Sequence, residues 1–186
     1  TVDIFTPIVD DPYDYGAIAA ANSLSDVYAM GGKPLVALNI SALPPALPMD
    51  VTQAIVRGAA EKALEAGVVI AGGHSLKDDE PKFGLVALGI VRNDQLLTKS
   101  GLRPGDRLFL SKPLGAGVIT TAFKRNLTSP DELEDAVTWM KRLNRDAAQL
   151  AVDFGLHAAT DITGFGLLGH ATEMAESSGV ALRIHY

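Results

Sequence analysis

Residues 160–170 read Thr-Asp-Ile-Thr-Gly-Phe-Gly-Leu-Leu-Gly-His, and this stretch restricts the fold more than any other part of the chain. Its three glycines stand where a helix is predicted to begin, although each costs roughly 1 kcal/mol relative to alanine in a regular helix. Some requirement other than helix propensity therefore favours them. Close approach of the backbone to a ligand would explain the glycines, and so would close packing of the helix on a sheet. The sequence leaves both explanations open.

The residues before this stretch predict alternating strands and helices punctuated by glycine. The helical spacing of small and apolar residues over 15–29 ends at Gly31, and Asp14 is the predicted N-cap. A second helix is predicted over 50–66, with Asp50 as its cap and Gly67 after its end. Residues 72–75 are predicted to form a tight turn after a short buried strand. The predicted strands are 34–43, 68–71 and 83–91.

Polarity rises over residues 98–106, where Gly101, Pro104 and Gly105 cluster. This segment is the best candidate for a boundary between two domains. The pattern then restarts with a glycine turn at Gly115 and Gly117. We therefore predict a domain over residues 1–101 and the first part of a second domain over 102–186. The elements predicted in the second part are strands at 107–111, 158–162 and 180–186 and helices at 130–152 and 163–177.

Composition excludes several classes of protein. Acidic residues exceed basic ones by 22 to 16, and the basic residues are dispersed, so no footprint for nucleic acid is predicted. No apolar run approaches the roughly 20 residues of a membrane span. The absence of cysteine excludes disulfides, thiolate zinc sites and a cysteine nucleophile in this stretch, and is typical of a cytoplasmic protein. The opening residues carry no signal-peptide pattern and are predicted to form an interior strand.

Five aspartates stand beside predicted turns or helix ends among small residues. Magnesium prefers oxygen ligands and usually links one or two carboxylates to phosphate oxygens. Asn22 and Asp26 share a helix face, so their side chains can address one ligand. The plainer interpretation of Asp26 is a solvated residue or helix cap, and an Asp-Asp-Pro sequence is a common turn opening. The five are Asp3, Asp10, Asp11, Asp26 and Asp161.

Two glycine motifs are candidate phosphate sites. In the Gly72-Gly73-His74-Ser75 segment, backbone amides, imidazole and hydroxyl can all reach phosphate, although a hairpin turn with a surface histidine explains it equally well. Gly115 and Gly117 resemble an anion-binding loop but lack the lysine of a P-loop. His157 and Asp161 are four residues apart, and without a third ligand nearby zinc is not favoured. His170 and His185 are interpreted as structural.

Six segments together closely resemble the selenophosphate synthetase family, also called selenide, water dikinase, over essentially the whole chain. They are residues 1–3, 7–12, 22–26, 29–34, 72–75 and 160–170. The resemblance places the chain in the aminoimidazole ribonucleotide synthetase superfamily. It implies a two-domain architecture, with an α/β domain that binds ATP and dimerises and an α+β C-terminal domain, both incomplete here. Residues 72–75 and 160–170 look like the selenophosphate branch rather than its kinase relatives.

The resemblance also implies roles for individual residues. Asp26 and Asp161 would bind Mg²⁺, and Asp3 would contact the nucleotide or its metals. The nucleotide would be contacted by Asn22 and by the segment Gly73, His74 and Ser75. Family members transfer a phosphoryl group from ATP to selenide, giving selenophosphate, AMP and orthophosphate, and homodimers are expected.

The chain departs from the family pattern before Thr1. The family's glycine-rich segment, with a reactive cysteine or selenocysteine, a catalytic lysine and a further aspartate, is expected upstream and is not in this sequence. More of the C-terminal domain is expected after Tyr186. We therefore predict weak or absent turnover by this stretch alone. The alternatives are an ATP-dependent relative that acts on another small acceptor and a non-catalytic module that dimerises or binds nucleotide.

Overall fold

The computed structural model describes residues 1–185 and consists of one mixed sheet covered by helices on one side. The N-terminal half alternates strands with two long helices, and the C-terminal half is helical and irregular. The first half contains β1 Val2–Phe5, α1 Pro12–Ala29, β2 Lys33–Leu43, α2 Met49–Glu65, β3 Val69–Lys77 and β4 Lys82–Ile90. The second contains α3 Ala116–Lys124, α4 Pro130–Lys141, α5 Arg145–Asp153 and α6 Gly166–Ser178, after short 3₁₀ turns at Asn93–Gln95 and Lys99–Gly101.

The sheet has the strand order β1-β4-β2-β3. Strand β4 pairs antiparallel with both β1 and β2, and β3 pairs parallel with β2 after the α2 crossover. One row of paired residues runs across all four strands, from Asp3 through Leu85 and Asn39 to Gly73. Paired residues point to the same face, so Asp3 and Asn39 share a face of the sheet.

Helices α1 and α2 cover that face and enclose the core. Phe83 and Leu85 of β4 are fully buried beneath Leu24 of α1. The two helices approach closely because glycine stands at each contact. A Cβ atom on Gly16 would lie 1.9 Å from the carbonyl oxygen of Ile55, and one on Gly58 would lie 2.0 Å from that of Tyr13. Only glycine permits this helix contact without a backbone shift.

The opposite face of the sheet is apolar and exposed. It carries Val2, Leu38 and Leu88, whose exposed fractions are 56%, 39% and 49%. The register places Val2 beside Val86 and Val86 beside Leu38, so these side chains form a continuous surface. We call the surface formed by Val2, Ile4, Leu38, Val86 and Leu88 the open sheet face.

The C-terminal half packs directly against α1. Val137 of α4 and Leu143 are buried in the same core as Leu24. Lys141 of α4 forms an ion pair with Asp14 at 2.6 Å, and the amide of Asn144 donates to the hydroxyl oxygen of Ser25 at 2.8 Å. The two halves are therefore joined by apolar and polar contacts together.

The structure corrects three predictions in the N-terminal half. Residues 72–75 are not a turn, because they lie inside β3, where pairing with β2 keeps the chain extended. The N-cap of α1 is Asp11, not Asp14, since the Asp11 carboxylate accepts from the amide of Asp14 at 2.8 Å. The N-cap of α2 is Pro48, not Asp50, and no side chain caps this helix.

In the C-terminal half, the predicted helix over 130–152 is two helices. The chain leaves the helical conformation at Arg142, and this break lets Leu143 enter the core. Helix α3 was not predicted. The strands predicted at 107–111, 158–162 and 180–185 do not form in the described chain, because no neighbouring segment pairs with them beyond one bridge between Thr98 and Ala158. Position 186 lies outside the described residues.

The helices bear on the prediction, made from the sequence, that the chain contains no membrane span. Among residues 1–185, no helix is both long and apolar enough to cross a bilayer.

Candidate functional site

The candidate site is centred on Asp3 in β1. The Asn22 side chain of α1 donates an amide N–H to the Asp3 carboxylate at 3.1 Å. The next residue, Ser23, bridges the same elements, since its hydroxyl lies 3.3 Å from the Asp3 carbonyl oxygen and accepts from the amide of Leu85 at 3.1 Å. Helix α1 therefore holds both the backbone and the side chain of Asp3 in place.

The electrostatics of Asp3 show that three acidic side chains converge. The pKa of the Asp3 carboxyl is raised from 3.8 to about 6, first by burial and then by the negative charges of Asp26 and Asp161. The α-amino group of Thr1 acts in the opposite direction. Charges affect a pKa in this way only when they are near. Asp161, which is 158 positions away in sequence, therefore lies close to Asp3 in space.

Asp26 and Asp161 reach this site from different elements. Asp26 lies on α1, one turn beyond Asn22, and accepts a hydrogen bond from the hydroxyl of Thr1. Asp161 lies in the irregular segment before α6, and its Oδ2 atom is buried without a hydrogen-bond partner among residues 1–185. A buried carboxylate oxygen normally has a hydrogen-bond partner, because a buried oxygen without one costs free energy. The Asp161 oxygen is therefore free to bind a cation or a donor.

These residues fit a magnesium ion. The side chains that converge are carboxylates, the hard oxygen ligands that Mg²⁺ prefers, and one of their oxygens is buried and unpartnered. Within the described chain, no group of three or more acidic or histidine side chains is arranged to hold a metal ion by itself. Mg²⁺ bound to phosphate needs only one or two carboxylates, because phosphates and waters supply the remaining ligands.

The glycines of residues 164–169 have different surroundings. A Cβ atom on Gly164 or Gly166 would meet no atom within 4 Å, and Gly166 has a φ of +66°. A Cβ atom on Gly169 would lie 2.7 Å from the Cβ of Phe165, within the same segment. Packing on the sheet therefore does not account for Gly164 and Gly166. The left-handed φ accounts for glycine at Gly166, and backbone approach to a ligand remains as the explanation for Gly164.

His170 serves the local structure of this segment, as the sequence interpretation expected. Its ring is buried, and its Nε2 atom accepts from the backbone amide of Thr163 at 3.1 Å. The contact fixes the chain just before α6. Its Nδ1 atom is buried and has no partner in the part of the chain that the structure describes.

The Gly73, His74 and Ser75 segment lies on the edge strand β3. A Cβ atom on Gly73 would lie 1.9 Å from the carbonyl oxygen of Asn39, so this position requires glycine. The hydroxyl of Ser75 lies 2.9 Å from that of Ser41 on the helix-covered face. His74 is exposed on the opposite face, because side chains alternate along a strand. The three residues therefore do not address one ligand from a single turn.

The remaining candidates have local roles or stand apart. Asp11 caps α1, and Asp10 is exposed in the preceding loop. Gly115 is the N-cap of α3 with a φ of +111°. The His157 Nε2 atom lies 3.0 Å from an oxygen of Asp106.

Sequence reasoning missed one polar residue near the site. Asn39 lies in the row of residues that connects Asp3 with Gly73, and its Oδ1 atom is buried without a partner in residues 1–185. The signal was an amide side chain in a mostly apolar strand, since asparagine is depleted in strands. Its place beside the site depended on the sheet register.

Solved structures show which class of protein has this fold. Thiamine-monophosphate kinase from Stenotrophomonas maltophilia matches with a TM-score of 0.83 at 23% identity, over 96% of this chain and 60% of that one. Hydrogenase maturation protein HypE matches with a TM-score of 0.84 at 24% identity, over 96% and 57%. The chain therefore has the fold of the aminoimidazole ribonucleotide (AIR) synthase-like proteins, as the resemblance implied.

Family models then identify the family itself. Residues 1–91 match the AIR synthase related protein N-terminal domain, and residues 103–186 match the C-terminal domain of the same family. The chain belongs to the AIR synthase related protein family.

Curated relatives narrow the similarity to one branch. The chain is 54% identical over 182 residues to selenide, water dikinase of Caldanaerobacter subterraneus, covering 98% of this chain and 53% of that protein. It is 52% identical over 176 residues to selenide, water dikinase of Carboxydothermus hydrogenoformans, covering 95% and 51%. The chain thus spans about half the length of the curated relatives it matches.

Proposed function

We propose that the chain is the nucleotide- and metal-binding part of an enzyme that uses ATP to phosphorylate selenide, giving selenophosphate, AMP and orthophosphate. One structural observation carries the proposal. Asp3, Asp26 and Asp161 converge from both halves of the chain, and burial together with the charges of Asp26 and Asp161 raises the pKa of Asp3 to about 6. Mutual repulsion among these half-buried carboxylates is a cost unless a cation offsets it. The similarity to selenide, water dikinases supports selenide as the acceptor.

In this proposal Asp26 and Asp161 hold Mg²⁺, and Asp3 joins them or contacts the nucleotide. When bound, the ion would neutralise negative charge on the phosphates during transfer. Asn22 orients Asp3 through the 3.1 Å hydrogen bond. The open backbone at Gly164 and Gly166 leaves room for phosphate oxygens beside Asp161.

The nucleotide is proposed to extend toward Gly73 and Ser75, which lie on the same face of the sheet as Asp3. Relatives of known structure support ATP as the ligand, since one HypE structure is described as a complex with ATP. A second structural relative, a ThiL protein, is described as complexed with AMPPCP and TMP. His74 points to the open sheet face instead, so it would reach the nucleotide only from that side.

A homodimer is also part of the proposal. The open sheet face exposes large apolar side chains from three strands, and exposed apolar surface of this kind marks interaction sites. A second copy of the chain would bury this face against its own. The proposal places His74 at the edge of that interface.

A thermal-shift titration with ATP, with and without Mg²⁺, tests nucleotide binding, because ligands that bind the native state raise its stability. We expect a Mg²⁺-dependent rise that disappears in Asp26→Asn and Asp161→Asn. The matched control is Asp10→Asn, an exposed aspartate outside the cluster, which should keep the full shift. Absence of any Mg²⁺-dependent shift in the unmodified chain would leave only a structural module.

The acceptor is tested separately in the full-length enzyme by phosphorus NMR. Selenide should be required for the formation of AMP and of a phosphorus signal coupled to selenium. ATP binding without a response to selenide would favour another small acceptor. The two experiments thus separate failure of the nucleotide site from a wrong acceptor.

A further inference from the structure

A cleft that is distinct from the acidic cluster of Asp3, Asp26 and Asp161 lies where the two halves of the chain meet. It has a volume of about 490 Å³, which is within the usual size range of small-molecule sites. Its walls come from the end of α1, the start of β2, the residues after β4 and one side of α5. Neither Asp3, Asp26 nor Asp161 lines it.

The cleft contains a buried hydroxyl without a partner. Tyr28 lines the cleft and is only 3% exposed, and its Oη atom has no hydrogen-bond partner among the described residues. Tyrosine hydroxyls usually find a partner when they are buried. A phenol at neutral pH donates readily, so the missing partner is a hydrogen-bond acceptor.

The charged side chains that line the cleft are cationic. Lys33, Arg92 and Arg145 line it, and no aspartate or glutamate does. Arg92 pairs with Asp94 at 2.7 Å, and Arg145 donates to the Glu65 carbonyl oxygen at 3.0 Å.

Two carboxylates outside the lining also act on Tyr28: burial raises the pKa of its hydroxyl, Arg145 lowers it, and Glu65 and Asp146 raise it further.

Lys33 has no carboxylate within 4 Å in the described chain, so its charge is not offset by an ion pair. The weak pair between Arg145 and Asp146, at 3.4 Å, is exposed on both sides and leaves the guanidinium available.

The rest of the lining is mainly apolar, with two amide side chains. Pro34, Ile90 and Val152 supply apolar surface, and Gln95 and Gln149 supply neutral polar groups. Apolar walls with a few placed polar groups are typical of sites for small organic molecules. An inorganic ion alone would leave the apolar part of the cleft unfilled.

We propose that this cleft binds a small organic anion, with a phosphate or carboxylate group on an apolar body. An oxygen of that group accepts a hydrogen bond from the hydroxyl of Tyr28. Arg145 and Lys33 supply the opposing charge. The bound molecule contacts α1 and β2 from one half and α5 from the other, so it stabilises the junction of the two halves. This site does not depend on the proposed reaction with selenide.

Isothermal titration calorimetry with phenyl phosphate tests the proposal, in the absence of ATP and Mg²⁺. Inorganic phosphate and benzoate are the comparison probes and separate the phosphate, carboxylate and apolar contributions. We expect phenyl phosphate to bind, and to shift the amide NMR signals of Gly31 and Gly32, which line the cleft. Inorganic phosphate should bind more weakly.

Tyr28→Phe removes only the hydroxyl and should weaken phenyl phosphate about tenfold or more, because it deletes a hydrogen bond to a charged group. Arg145→Gln should also weaken it. The control Tyr13→Phe removes a hydroxyl that donates to Glu61 at 2.6 Å outside the cleft and should leave binding unchanged. The melting temperature of unliganded Tyr28→Phe should stay the same or rise, since the variant loses an unpartnered buried group.

Three results would overturn the proposal. One is no binding of phenyl phosphate or benzoate at millimolar concentration. Another is equal affinity in the native chain and Tyr28→Phe. The third is a lower melting temperature of Tyr28→Phe, which would mean that the hydroxyl already has a structural partner.

Discussion

Asn22 on α1 donates to the Asp3 carboxylate on β1 at 3.1 Å, and this contact connects the long helix to the centre of the acidic cluster. The hydrogen bond stabilises the ionised form of Asp3, whereas burial and the charges of Asp26 and Asp161 oppose ionisation. The opposing effects are larger, since the pKa of Asp3 is raised. Without a bound cation, the ionised carboxylates of Asp3, Asp26 and Asp161 therefore repel one another.

The first prediction concerns that repulsion. Asp3→Asn should stabilise the metal-free chain at pH 7.5 by about 1 kcal/mol, because it removes a half-buried charge beside two others. For a chain of this length that corresponds to a rise in melting temperature of roughly 2–4 °C. The same variant should lose most of the Mg²⁺-dependent shift with ATP. A lower melting temperature together with an intact ATP shift would contradict the acidic cluster as a cation site.

The second prediction concerns pH. The pKa of Asp3 is about 6 in the folded chain against an ordinary value of 3.8, so the folded state holds this proton more tightly. The contribution of Asp3 to stability is therefore full below about pH 4 and is lost as pH rises to about 6. The loss has an upper limit of about 3 kcal/mol, which solvent screening of a half-buried group reduces to about 1 kcal/mol.

Mg²⁺ competes with this proton, so binding of ATP with Mg²⁺ should tighten as pH rises through about 6. Denaturant titrations from below about pH 4 up to about pH 8 follow the loss of stability, and calorimetry from about pH 5 to about pH 8 follows the binding of ATP with Mg²⁺. In Asp3→Asn both dependences should flatten. An unchanged pH profile in that variant would assign the titration to another group.

The third prediction concerns the edge strand. Gly73→Ala should destabilise the chain by about 1–3 kcal/mol, because its Cβ would lie 1.9 Å from the Asn39 carbonyl oxygen. Gly72→Ala is the matched control, since Gly72 has nearly the same φ, +153° against +157°, but open space around its Cβ. Denaturant unfolding of the two variants isolates the cost of the clash. Equal destabilisation would mean that backbone conformation alone requires glycine here.

The fourth prediction concerns the contact of α1 with α2. Gly16→Ala should destabilise by about 3 kcal/mol or unfold the chain, since its Cβ would lie 1.9 Å from the Ile55 carbonyl oxygen. Gly117→Ala in α3 meets no atom within 4 Å and should stabilise by about 0.5–1 kcal/mol through helix propensity. Thermal and denaturant unfolding should give opposite signs for the two changes. The same sign would show that the helices do not cross at Gly16.

The fifth prediction concerns the open sheet face. Leu38→Glu should shift the chain from dimer to monomer in sedimentation velocity, because it places a charge within the proposed interface. The control Leu64→Glu changes a leucine that is 76% exposed on α2, on the other side of the molecule, and should leave the mass unchanged. A native chain that sediments as a monomer at high micromolar concentration would remove the dimer from the proposal.

Local patterns carried much of the fold. The helix ending before Gly31 and the helix ending before Gly67 are predicted because helical spacing is followed by glycine, and both glycines have a φ of +73° in the structure. The strand predicted at 34–43 is confirmed, since it lies within β2. This prediction also used a local pattern, because the alternation of side chains is a property of neighbouring residues. The strands predicted at 107–111 and 180–185 are wrong within the described residues, because a strand also needs a partner, which short-range pattern does not supply.

The sequence by itself determined the family and the identity of the acidic residues, since both depend on motifs of a few consecutive positions. Only the tertiary structure decided that residues 72–75 are an edge strand, since β2 supplies the hydrogen bonds that hold them extended. It alone brought Asp161 to Asp3 and left the Tyr28 hydroxyl without a partner among residues 1–185. These features arise from contacts between residues distant in sequence, and burial and charge act through space rather than along the chain.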